Sequence, residues 1–264
     1  MTVPDFFLKD RVAIVTGAKR GIGKAIAVTF AEAGADVVVC GRTLDELEEV
    51  TSEIRALGRH SLALKTDVTV KSEVTSLAER TIKDFGTIDI LVNNAVVYTG
   101  GPLVELSEGD WDNSLDIGLK GSYLCSQAVA RVMKEKRRGS IINMTSTAGI
   151  RPTGWQGAYS IIKAGGIMLT KLLAVELAQW NIRVNALAPT AVKTERMSAE
   201  WKRRTKVLRG FMAQLPLGRL TEMHELTAAA LFLASDASSY ISGHVLIVDG
   251  GRINTFPRFG QVAE

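Results

Sequence analysis

Two cysteines are too few for a disulfide framework. Cys40 and Cys125 both lie in apolar stretches, as core thiols do, and a reducing compartment is the default. The three histidines, His60, His224 and His244, are scattered. Nothing in their spacing gathers metal ligands, so no zinc site is expected. No apolar run reaches membrane-spanning length, and the N-terminus has no basic stretch leading into an apolar core. The expectation is a soluble, cytoplasmic protein with no membrane partner. Linkers, repeats and low-complexity blocks are absent. Basic residues do not alternate with aromatics along a stripe, which argues against nucleic acid. Net charge is only +4, and the basic residues are spread along the chain. The tightest clusters, residues 134–138 and 202–204, read as solvated helix ends or as faces for an acidic partner.

What is present is a 46% hydrophobic chain of 264 residues, enough for one large core. Short β-branched runs alternate with amphipathic helical stretches. Strands are expected at residues 11–16, 36–40, 61–65, 88–93, 140–144, 182–186 and 245–248. Helices are expected at 21–34, 43–57, 70–85, 107–136, 156–180, 198–214 and 222–235. Thr43 and Ser107 are the expected caps of the second and fourth helices. This alternation predicts an α/β fold: a single Rossmann-type doubly wound domain over residues 1–264, its seven-stranded parallel sheet covered by helices on both faces.

Between the first strand and first helix lies Thr16-Gly-Ala-Lys-Arg-Gly-Ile-Gly23. Gly17, Gly21 and Gly23 permit a tight turn and close approach of backbone to a pyrophosphate at a helix N-terminus. The second strand ends Cys40-Gly41-Arg42, without the acid that usually holds a bare ribose 2′-hydroxyl. Lys19, Arg20 and Arg42 instead surround that position with cations suited to a 2′-phosphate. NADP(H) is the favoured cofactor, with NAD(H) the less favoured one.

Tyr159 and Lys163 stand four residues apart, one turn apart on one face of a helix. Free tyrosine titrates near pH 10. Bringing it to about 7 needs roughly 4 kcal/mol of preference for the phenolate, much of which a nearby ammonium in a dry site can supply.

Taken with Asp67-Val68, Asn93-Asn-Ala95, Ser146, Asn185 with Pro189, Thr194 and Val248-Asp-Gly-Gly251, these motifs resemble the short-chain dehydrogenase/reductase family over about residues 8–251. The resemblance implies that Tyr159 is the general acid/base and that Lys163 lowers its pKa and holds the nicotinamide ribose. It implies that Ser146 steadies the substrate oxygen. Ile22 falls within the glycine turn, Asp67 and Val68 would contact the adenine, and Asn94 and Ala95 would line the adenosine ribose. Pro189, Val192 and Thr194 would lie at the nicotinamide.

Three departures from the family pattern stand out. Val96 and Thr190 replace glycines. Gly118, seven residues after Trp111, replaces an asparagine that bends its helix and holds a relay water. Val96 is expected to crowd the cofactor or shift a loop.

Substrate loops are expected at 148–157 and 191–215, with Trp155 and Met197 as candidate pocket walls. The tail, 252–264, carries Phe256 and Phe259 as candidate interface residues. The resemblance also implies a homotetramer, with Leu172, Leu173, Val175, Leu177 and Ala178 as interface or core. The leading reading is an NADP(H)-dependent oxidoreductase acting on a small carbonyl or secondary alcohol. The alternatives are an NAD(H)-linked sugar or polyol dehydrogenase, a 3-oxoacyl thioester reductase, and a nucleotide-binding regulator without turnover.

Overall fold

A computed structural model describes residues 5–152, 154–194 and 205–255. Seven strands form one sheet: β1 (Val12–Thr16), β2 (Asp36–Gly41), β3 (Ser61–Lys65), β4 (Ile90–Asn93), β5 (Gly139–Met144), β6 (Ile182–Pro189) and β7 (Val245–Val248). Their order is β3-β2-β1-β4-β5-β6-β7, with every neighbouring pair parallel. The chain winds outward from β1 to β3, returns to β4 on the other side of β1, and continues to β7. The carboxyl ends of β1 and β4 therefore flank the switch point, where a doubly wound sheet opens a crevice.

Side chains leave each strand to alternate faces, and the two faces build separate cores. Ala13, Val15, Val37, Val39 and Val92 pack under α1 (Gly21–Glu32) and α2 (Leu44–Ala56). Ile14, Val38, Cys40, Leu91 and Ile141 pack under α3 (Lys71–Phe85) and the helices that follow β4 and β5. Cys40 and Cys125 meet in this second core. Burial raises both thiols, Cys125 to about 12, so neither is a reactive thiolate.

The helix expected at 107–136 is continuous over residues 108–136 but widens midway. It runs as α4 (Glu108–Leu115), a wide π turn (Asp116–Lys120) and α5 (Gly121–Lys136). Ser107 does cap α4, its hydroxyl accepting from the Asp110 amide at 3.1 Å. Thr43 stands at the N-cap of α2 as expected, but its hydroxyl makes no capping bond and accepts from the Lys19 ammonium at 3.5 Å. α6 (Tyr159–Leu177) starts later than expected. Trp155 and Gly157 have φ of 65° and 51°, which no right-handed helix accommodates. The Gly157 amide instead donates to the Gly101 carbonyl at 2.9 Å, which ties this loop to the one after β4. The chain continues through α7 (Thr205–Met212) and α8 (Met223–Ala234), and α8 packs over the first core.

Among the candidate interface positions on α6, Leu177 is buried and Leu173 packs on the core. Met168, Leu172 and Val175 form an exposed stripe, with Val175 80% accessible. No helix of the described residues is long and apolar enough to cross a membrane.

Candidate active site

Tyr159 is the first residue of α6, and Lys163 lies one turn on. Lys163 is 6% exposed, and its ammonium donates to the Met144 carbonyl at the end of β5, at 2.6 Å. Burial pushes it down to about 8. Its nitrogen is 5.4 Å from the centre of the Tyr159 ring.

Ser146 follows β5 and caps a short turn (Thr147–Gly149), with Oγ accepting from the Ala148 amide at 3.1 Å. The same hydroxyl donates to the Pro189 carbonyl at 3.3 Å and faces the Tyr159 phenol. Thr145 beside it is held on β6 by the Leu187 carbonyl at 3.2 Å. At Gly149 a Cβ would lie 2.5 Å from the Lys163 carbonyl carbon, so the serine turn touches the α6 backbone.

The Tyr159 phenol sits above its ordinary value. Burial is the main cause, the Ser146 hydrogen bond opposes it, and Tyr98 adds to the rise. The Tyr98 ring lies edge-on to that of Tyr159, with centroids 5.4 Å apart. Sequence reasoning missed Tyr98. It belongs to no motif and reaches the site only because the loop after β4 is tied to residues 155–157.

At the switch point the glycine turn is pressed onto the end of β4. A Cβ on Gly17 would lie 2.9 Å from the Ala95 Cα, and one on Gly23 would lie 2.4 Å from the Asn94 side-chain nitrogen. Asn94 donates that amide to the carbonyls of Thr16 at 2.9 Å and Gly17 at 3.1 Å. It therefore braces the turn. Gly21, at φ 60°, has open space where a side chain would stand. Arg20 at the N-cap of α1 makes no side-chain cap, and the first turn carries no acid. Free amides, a positive helix end and an open cradle suit a pyrophosphate. Ile22, by contrast, packs against the first core.

At the adenosine end, burial acts to raise the Asp67 carboxyl. Two bonds from Thr69 and the Arg42 charge outweigh it and hold the group below its usual value. Val68 is buried beneath Gly121. Lys19 is engaged, its ammonium 2.6 Å from the Glu46 carboxylate. The Lys19 hydrogen bond lowers Glu46 most, and the Arg20 charge contributes. Arg20 and Arg42 are exposed and make no ion pair among the described residues. The corner expected to hold three free cations thus also contains an acid, one that the strand-end rule does not examine.

Val192 is buried and bridged to Thr221, and the Thr194 amide donates to the Val192 carbonyl at 2.8 Å. Val96 is 40% exposed. The Thr190 hydroxyl is buried without a hydrogen-bond partner among the described residues. Met197 lies outside the described residues, as do Phe256 and Phe259 in the tail.

Every cation of the 134–138 cluster has a partner within the chain. The Lys134 ammonium lies 4.0 Å over the Trp180 ring, and Arg137 donates to the Gln179 carbonyl. Lys136 pairs with buried Asp89, and Arg138 with Asp236 at 2.7 Å.

The family model described as enoyl-(acyl carrier protein) reductase matches residues 17–252. The chain belongs to the short-chain dehydrogenase/reductase family, a group of nicotinamide-linked oxidoreductases. It is 38% identical over 245 residues to a (2S)-[(R)-hydroxy(phenyl)methyl]succinyl-CoA dehydrogenase subunit of Thauera aromatica, covering 93% of this chain and 97% of that one. It is also 38% identical to an NAD-dependent glycerol dehydrogenase of Listeria innocua, covering 94% and 95%. Among solved structures it matches a gluconate 5-dehydrogenase of Burkholderia cenocepacia in complex with NADP and tartrate. That match has TM-score 0.91 and 32% identity, with 96% and 99% of the two chains covered.

Gly118 lies within the π turn, so the helix widens here without an asparagine. A Cβ at Gly118 would lie 2.5 Å from Cγ2 of Ile162, the buried neighbour of Lys163. Gly118→Asn should therefore overpack the helix that carries the site and lower stability by about 1–3 kcal/mol. The expected outcome is a lower melting temperature and reduced turnover. Unchanged stability with higher turnover would show that the glycine is not needed for packing.

Proposed function

We propose that this oxidoreductase interconverts a small carbonyl compound and its secondary alcohol with NADP(H), using Ser146, Tyr159 and Lys163. The observation that carries this reading is the convergence of the three side chains where β5, β6 and α6 meet. When bound, the nicotinamide supplies or accepts the hydride. Tyr159 donates the proton to the developing alkoxide, and the Ser146 hydroxyl steadies the same oxygen. Lys163 keeps positive charge close to the phenol and offers a donor to the nicotinamide ribose. The expected lowering of the phenol is not present in the geometry described, where burial outweighs its neighbours. The relevant charge state then depends on Lys163.

Lys163 is cationic below about pH 8 and neutral above it. Carbonyl reduction needs both the phenol proton and that cation. Its kcat/KM should therefore fall as pH rises through about 8, and Tyr159→Phe should lose roughly a hundredfold or more at every pH. A flat profile from below pH 7 to above pH 9, or a Tyr159→Phe variant of normal turnover, would remove this assignment.

Arg20 and Arg42 support the NADP(H) reading, because neither has an ion-pair partner among the described residues. The Lys19–Glu46 pair favours the second reading, NAD(H) use on a sugar or polyol, since Glu46 both occupies Lys19 and repels a 2′-phosphate. The gluconate 5-dehydrogenase with NADP and the NAD-dependent glycerol dehydrogenase are relatives of the two kinds. Direct titration separates the readings. Wild type should bind NADPH more tightly than NADH, Arg42→Ala should weaken NADPH alone, and Glu46→Gln should strengthen it, each by about tenfold. Tighter NADH binding in wild type would favour the polyol reading.

A carrier-bound thioester is the less supported substrate, because the 134–138 cations are already engaged. The exposed stripe of Met168, Leu172 and Val175 supports the homotetramer reading. Sedimentation should give a four-chain mass that Val175→Glu reduces, and a monomeric wild type would exclude it.

A further inference from the structure

We propose that Arg151 and Arg252 form an anion-holding corner of the substrate cleft, so that the substrate carries a carboxylate or phosphoryl group away from its reacting carbon. This deepens the carbonyl–alcohol reading above and rests on it.

The two arginines come from segments that leave the catalytic edge of the sheet. Val248 of β7 pairs with Pro189 of β6, and the Pro189 carbonyl accepts the Ser146 hydroxyl. Arg252 begins the short turn just past that point, after Gly251 at φ 88°. Arg151 follows the turn that Ser146 caps, and its Nη1 donates to the Thr255 carbonyl at 2.7 Å. The loop after Ser146 is thereby joined to the segment after β7. From the other side, α7 brings the Phe211 ring to 4.7 Å from the Arg252 guanidinium.

Among the described residues the corner has more positive charge than it balances. The Nε of Arg252 is buried without a hydrogen-bond partner among the described residues. Burial is the main influence that lowers its affinity for a proton, the Arg151 charge adds to this, and Asp249 opposes it. Asp249 does not pair with Arg252 directly. Its carboxylate is taken up by the amides of Gly251 at 2.8 Å and Ile253 at 2.7 Å. Neither Arg151 nor Arg252 forms an ion pair among the described residues, whereas Arg59, Arg138 and Arg219 do. A buried guanidinium donor is seldom left unpaired. An oxyanion with two acceptor atoms would bridge two guanidiniums, satisfy Nε and offset their mutual repulsion. Phe211 would stack on the guanidinium face and leave its edge for the anion.

The test uses the full-length protein saturated with NADPH, so that added anions cannot occupy the pyrophosphate cradle. Malonate is the binding probe, with sodium chloride of equal ionic strength as reference. Malonate should raise the melting temperature of wild type. The rise should vanish in Arg252→Gln and shrink in Arg151→Gln. No rise in wild type, or the same rise in both variants, overturns the proposal.

Turnover gives a second readout. Wild type should favour levulinate over methyl levulinate in kcat/KM, and Arg252→Gln should reduce that ratio at least about tenfold, chiefly through KM. Arg252→Lys, which keeps the charge and loses the fork, should recover part of it. An equal ratio in wild type and Arg252→Gln counts against the corner. A protein that binds malonate through Arg252 but turns over no member of a carbonyl panel would remove the oxidoreductase reading and leave the anion site standing.

Discussion

The Lys163 ammonium is almost wholly out of water, and its donation to the Met144 carbonyl at 2.6 Å holds the first turn of α6 on the end of β5. A buried ammonium without an acceptor would cost several kcal/mol or lose its proton. That carbonyl is therefore what allows a charged group to persist there at all. Most of the cleft follows from this attachment. The serine turn must approach α6 at backbone contact, which only a glycine at 149 permits. Tyr159 then falls beside Ser146, and the loop after β4 brings Tyr98 against it. The same attachment places Ile162 against the π turn, so the identity of residue 118 is coupled to the catalytic helix by sterics.

The nucleotide end of the cleft is built on a different principle. There the constraint is closeness of two backbones, the glycine turn and the end of β4, braced by the Asn94 amide. Nothing charged is needed to hold the turn, so charge around it is free to set cofactor preference. The chain has placed an acid among the cations there, and Lys19 is bound to Glu46. Counting cations along the sequence overstates the positive charge that a 2′-phosphate would meet.

Much of the fold was legible because strands and helices are local. Seven β-branched runs gave seven strands, and their alternation with helices gave a parallel sheet. The details that differ do so for reasons that act across the fold. The 107–136 helix widens into a π turn at Gly118, where a side chain would meet Ile162 of another helix. α6 began at Tyr159 because the preceding loop is paired with Gly101. Thr43 holds the N-cap position without a capping bond, its hydroxyl accepting from Lys19 of another element. The basic cluster at 134–138 looked free because its partners, Trp180, Gln179, Asp89 and Asp236, are far along the chain.

By itself the sequence determined the strand–helix alternation, the glycine turn and the helical spacing of Tyr159 and Lys163, since each depends on residues within one or two turns of one another. Only the tertiary structure decided which charges are already paired, which thiols are sealed, that Tyr98 meets Tyr159, and that Arg151 reaches the segment after β7. Those are properties of what lies across a gap, and no local pattern records the far side.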